Sequence, residues 1–200
     1  AAKPLIRQLS SEINNLEGKV NATVRSIEGM FDQFESEFNL LKNKIDGIEE
    51  MLDNLEEASF ALMPNEAGAL AVKATFIEGK EDRGDPEGIL FLTDQRLIFE
   101  RKEKVAKKKV LFIATEKELV QEVLMDNPLG YVEEIKSSKR GIFKNEDHIE
   151  IFFEPQAAVR ETHLHLYGQD WEEWKTAIQR AHAGEYDRDR AIAIDEEAAE

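Results

Sequence analysis

The chain has 200 residues, 42% hydrophobic and 34% charged, with no cysteine and a net charge of −16. Length and composition suit one long helix plus one ordinary domain, or two small domains. The missing thiols exclude a disulfide scaffold and thiolate metal sites, and the acidic surface opposes nucleic acid, which needs a concentrated basic patch.

The first element in chain order is a helix. Pro4 suits a first helical turn, and no further proline occurs before Pro64. Between them apolar residues recur three and four apart. The row is Ile6, Leu9, Ile13, Leu16 and Val20, then Val24, Ile27, Phe31, Phe34, Phe38, Leu41, Ile45, Ile48, Leu52 and Leu55. A period near 3.5 is that of a coiled-coil seam, so the spacing predicts a coiled-coil helix over 4–57, roughly 80 Å long. Val24, Phe31, Phe38, Ile45 and Leu52 take position a, and Ile27, Phe34, Leu41, Ile48 and Leu55 take position d. The step from Val20 to Val24 is four where three was due, a stutter that locally unwinds the supercoil. Such a seam cannot bury itself. The helix therefore predicts a homo-oligomer, formed chiefly through Ile27, Phe31, Phe34, Phe38, Leu41, Ile45, Ile48 and Leu52; Leu5, Met30 and Met51 at position g widen the stripe toward three or more helices or an antiparallel hairpin of subunits.

A short linker over 58–65 follows, and then the period changes to alternation. Leu70, Val72 and Phe76 mark a first strand, and a Gly- and Asp-rich turn covers 79–86. Gly88–Thr93 and Arg96–Arg101 read as a hairpin around Asp94-Gln95. Further strands are predicted at 110–113, 131–136, 149–153 and 162–167, with a helix at 115–124. The last element is a helix capped by Asp170, with Trp171, Trp174, Ile178 and Ala181 in one stripe. The tail over 184–200 is acidic.

The stretch Gly88-Ile-Leu-Phe-Leu-Thr-Asp-Gln-Arg-Leu-Ile-Phe99 resembles the central hairpin of GRAM and bacterial PH-like domains. Asn127-Pro128-Leu129-Gly130-Tyr131-Val132-Glu133-Glu134-Ile135 is similar to that family's proline-led strand, and the Trp-bearing terminal helix matches in position. The likeness covers roughly 66–183 and departs at 115–125. It implies an α+β chain: the long coiled-coil helix, then a PH-like β-sandwich or barrel of about seven antiparallel strands in two orthogonal sheets, closed by a C-terminal helix. It also implies a binding module for lipids or protein segments rather than an enzyme.

The densest basic cluster is Arg101, Lys102, Lys104, Lys107, Lys108 and Lys109. In a PH-like fold it would form the loop after the third strand, at the same end as the turn holding Lys80 and Arg83. Cations at a loop tip attract anionic headgroups, each worth about 1 kcal/mol near a membrane surface. The bland alternative is a solvated loop whose lysines protect a strand edge. A weaker group is Lys136, Lys139, Arg140 and Lys144. Glu161, His163 and His165 alternate on one strand, but such a row more often lines a polar surface than binds a metal. His148 and His182 read as isolated. No phosphate loop or nucleophile elbow is present, so no metal, cofactor or catalytic residue is expected.

The expectation is a cytoplasmic, non-enzymatic adaptor or scaffold, with a place at the membrane periphery as the open alternative. Its coiled coil clusters PH-like domains that bind a membrane surface or a protein partner, and not nucleic acid. The alternative is an assembly protein in which the coiled coil is the working part and the domain is a cap or lateral contact.

Overall fold

The computed structural model describes residues 2–77, 84–110, 113–140, 146–186 and 188, and for 106–110 and 113–117 the backbone alone. The chain divides into two compact units, Ala1–Asp46 and Gly47–Glu200. Helix α1 runs from Ala2 to Glu56. Within the first unit the α1 side chains that are described are all exposed. Within the second unit its last turns belong to the folded domain, where Met51 is buried.

Seven strands follow: β1 (Gly68–Ile77), β2 (Glu87–Thr93), β3 (Arg96–Val110), β4 (Ile113–Pro128), β5 (Val132–Arg140), β6 (Glu146–Phe153) and β7 (Glu161–Leu166). A single 3-10 turn, Leu129–Tyr131, separates β4 from β5, and α2 (Trp171–His182) comes last. Every pairing is antiparallel, in the order β4-β3-β2-β1-β7-β6-β5. β1 joins the two halves. Its residues Gly68–Thr75 pair with β2, while Ala74–Ile77 pair with β7. Hydrogen bonding therefore runs through one continuous sheet rather than two separate ones. This is the α+β, PH-like arrangement that the resemblance implies.

Alternation decides which face each strand buries. Val72, Ala74 and Phe76 of β1, Leu90 and Leu92 of β2, and Leu97 and Phe99 of β3 face one core. Ile149, Ile151, Leu164 and Leu166 complete its other side. α2 fills it: Trp174 and Ile178 are fully buried, and the Trp174 indole N–H donates to Gln169 at 2.5 Å. Asp170 caps the helix as its sequence predicts, accepting from the Glu172 amide at 2.7 Å.

Two expectations fail at β3 and β4. The stretch 115–124 is not a helix but the middle of β4, and Val110 ends β3 and pairs with Ile113 at the start of β4, so the two belong to a long hairpin rather than to a strand of their own, while 111–112 lie outside the described residues. Glu, Lys, Gln and Leu favour helix by propensity, yet a ladder with β3 from Arg96↔Pro128 to Val110↔Ile113 supersedes that weak preference. A register shift opposite Phe99 and Glu100 lets Leu124 pack against the core beside Met125.

A second, smaller apolar cluster lies on the other face of β1–β3. Ala71, Phe91 and Ile98 are covered there by Met51 and, in part, by Leu55, Ala58 and Phe60. Gly68 permits the close fit, since a Cβ there would stand 2.5 Å from Leu55 and 2.7 Å from Met51.

Candidate functional site

Three groups of residues carry chemistry: the exposed helix seam, the basic cluster of β3, and a histidine cluster across β6 and β7.

The seam residues Ile27, Phe31, Phe34, Phe38, Leu41, Ile45, Ile48 and Leu52 are all exposed, Phe31 and Phe34 most at 69% and 67%. So are Ile6, Leu9, Ile13, Leu16, Val20 and Val24 upstream. The apolar stripe forks near its end. Met51, one position off the seam, turns into the domain, while Leu52 on the seam stays exposed.

The basic cluster is not a loop tip. Arg101, Lys102 and Lys104 lie within β3, and the backbones of Lys108 and Lys109 pair with Glu116 and Ala114 of β4. The corrected placement follows from β4: a strand there extends the hairpin and draws the cluster into the ladder. Two of its cations are neutralised inside the domain. Arg101 meets Glu103 at 2.6 Å and Glu122 at 3.1 Å; these hydrogen bonds and charges raise its pKa. Lys102 meets Glu57 at 2.5 Å, and that hydrogen bond holds the Glu57 carboxyl below its usual range. Lys104 is exposed. The Lys107, Lys108 and Lys109 side chains, and Lys80, Arg83 and Lys144 altogether, lie outside the described residues. In the weaker group, Lys136 pairs with Glu134, Lys139 approaches Asp147 and Asp170, and Arg140 bonds Glu150.

Glu57 and Lys102 begin a strap that sequence reasoning reads as a linker. Gln121 donates to the Glu57 carbonyl at 2.7 Å, and both the amide and the hydroxyl of Ser59 donate to buried Glu100. The Phe60 ring meets Phe91 edge-on at 5.0 Å. Arg96 then forks onto Glu66 and Asp126, each at 2.7 Å, and donates to the Ala61 carbonyl. Thr93 accepts from the Gln95 and Arg96 amides and donates to Glu66, while Asp94 accepts from the Ala67 amide. Burial raises the Glu66 pKa, but bonds from Arg96, Met63 and Thr93 and the Arg96 charge outweigh it, leaving the carboxyl below its usual range. The Thr93-Asp94-Gln95-Arg96 signature thus clamps the segment that enters the domain. Its spacing around a hairpin was visible; its partner Glu66 was not.

The chain is similar to PH domains among solved structures. The N-terminal PH domain of Vps36 is 17% identical, with a TM-score of 0.41, covering 62% of this chain and 83% of that one. The pleckstrin homology domain from Shewanella amazonensis SB2B is 16% identical, at a TM-score of 0.37, covering 66% and 87%. The C-terminal domain of an unknown protein from Leishmania infantum is also 16% identical, at 0.35, covering 58% and 84%. No protein-family model matches, and no curated protein does.

His148 is not isolated. It is fully buried, and its Nδ1 lies 3.0 Å from Nε2 of His163. Its ring stacks on His165 at 4.6 Å, and His165 in turn meets Tyr167. The register places His148 opposite His165 and Glu150 opposite His163, so alternation on β6 and β7 brings the imidazoles to one face. Burial, then the charges of His165 and Arg140, depress the His148 pKa to about 4. It is neutral at pH 7, and one imidazole donates to the other. Among the described residues no group of three or more His, Asp or Glu side chains is placed to hold a metal ion. His163 and His165 have each other's neighbour His148 as company in place of the Glu161 row read from sequence.

Proposed function

We propose that this chain is a non-enzymatic, homo-oligomeric adaptor of the cytoplasm. Its N-terminal helix forms a coiled coil with further copies, and its GRAM-like or otherwise PH-like domain binds a protein partner or a membrane surface. The observation that carries this reading is the exposed seam from Ile6 to Leu52, fourteen named positions of one apolar row that are all exposed among the described residues. A row of that length is paid for only by association. Gathering several domains multiplies weak single contacts into avidity. Substituting Phe34→Glu places a charge in the seam, and the test is the mass in solution. Wild-type chains should sediment as oligomers, and Phe34→Glu as monomers with the domain still folded. An unchanged oligomer in the variant would remove the seam from the account.

Neutralisation of Arg101 and Lys102 within the domain favours a second reading, in which the coiled coil is the working part and the domain is a cap. Flotation with acidic vesicles at low salt separates the two. Retention of the oligomer that is lost on replacing Lys104, Lys107, Lys108 and Lys109 by Gln supports the lipid-binding adaptor. Absence of retention leaves a protein-binding adaptor or the cap.

A further inference from the structure

We infer that the occupant of the helix seam is a second copy of this chain running parallel and in register. The inference rests on the seam being an assembly face, as proposed above, and adds its orientation.

The stutter supplies the first argument. In a parallel, in-register pair each seam residue meets its own counterpart, so the four-residue step from Val20 to Val24 faces the same step and no layer is lost. In the antiparallel register that overlaps the whole seam, Ile6 faces the partner's Leu55 and Leu9 the partner's Leu52. The stutter then throws the centre out of line. Val24, Phe31 and Phe38 would face the partner's Glu37, Met30 and Thr23.

Charge supplies the second. In parallel coils a g residue lies beside the e residue of the partner's next heptad. Glu37 then meets the partner's Lys42, and Lys44 meets the partner's Glu49, both of opposite sign. Glu12 beside the partner's Glu17 is the one like-charged neighbour. Lys42 bonds Asp46 along its own helix at 2.5 Å, which leaves the ammonium further donors for Glu37. The antiparallel register sets Lys19 beside the partner's Lys44, which cancels its gain between Glu17 and the partner's Lys42.

The chain's lack of cysteine makes the test direct. Leu9→Cys in the full chain, under mild oxidation, should give a covalent dimer as the main species, and Leu41→Cys should do the same. An oligomer in which Leu9→Cys links only to Leu52→Cys in a mixture, and not to itself, overturns the parallel arrangement while leaving assembly intact. A monomeric mass for both variants and the wild type overturns assembly itself. Glu37→Lys should weaken association roughly tenfold, and adding Lys42→Glu should restore it. No restoration by the second change contradicts the pairing.

Discussion

Gly88 shows how one residue of the recognisable hairpin earns its place. A Cβ at this position would stand 2.0 Å from the Glu100 carbonyl oxygen and 2.8 Å from the Arg101 Cα, both backbone atoms of the paired strand. Gly88→Ala should therefore cost about 2 to 3 kcal/mol, read as a lower urea midpoint at an unchanged m-value. His148 gives a pH dependence. Its folded pKa of about 4 lies below the ordinary 6.5, so the fold holds it neutral. Its contribution is complete above pH 6.5 and is lost as pH falls toward 4, on the order of 3 kcal/mol. Glu66, whose pKa is lowered, adds a further loss below its ordinary 4.5. Urea midpoints should be level above pH 7 and decline between 6.5 and 4, and His148→Asn should flatten that part of the curve. A decline of equal steepness in the variant would place the titration elsewhere. The two strand histidines were legible as sharing a face; His148 was not, because its place beside them depends on the β6–β7 register.

At the scale of elements, most strands and α2 could be read from alternation and capping, because each buries one face against one core. The 115–124 stretch could not. Its composition suits a helix, and only the ladder with β3 makes it a strand. The 58–65 stretch misleads for a related reason: its polar bonds go to Glu100, Arg96 and Gln121, far away in sequence. Arg96 holds this strap against buried Glu66. Arg96→Met should cost about 3 kcal/mol by leaving that carboxylate without its counter-charge, while Glu66→Gln with Arg96→Met should cost less than Arg96→Met alone. A double variant less stable than the single one would contradict the pair. Phe60→Ala uncovers Phe91 and should lower stability by about 2 kcal/mol, with faster hydrogen exchange at the end of α1 as its local signature.

For the whole molecule, the long helix α1 is the element most fully written in the sequence, because helical periodicity needs no long-range information. The fork at Met51 and Leu52 was hidden, since both are apolar and only the fold assigns one to the domain. The basic cluster was visible as a run of lysines, but its ion pairs depend on Glu57 and Glu122 being brought alongside by the strap and by β4. Everything proposed about clustering follows from the seam finding a partner. Mass in solution by light scattering, across a range of protein concentrations, tests that most directly. The account predicts an integral multiple of the 22.9 kDa chain that falls to a single chain in Phe34→Glu. A wild-type mass of 22.9 kDa at every concentration would contradict it.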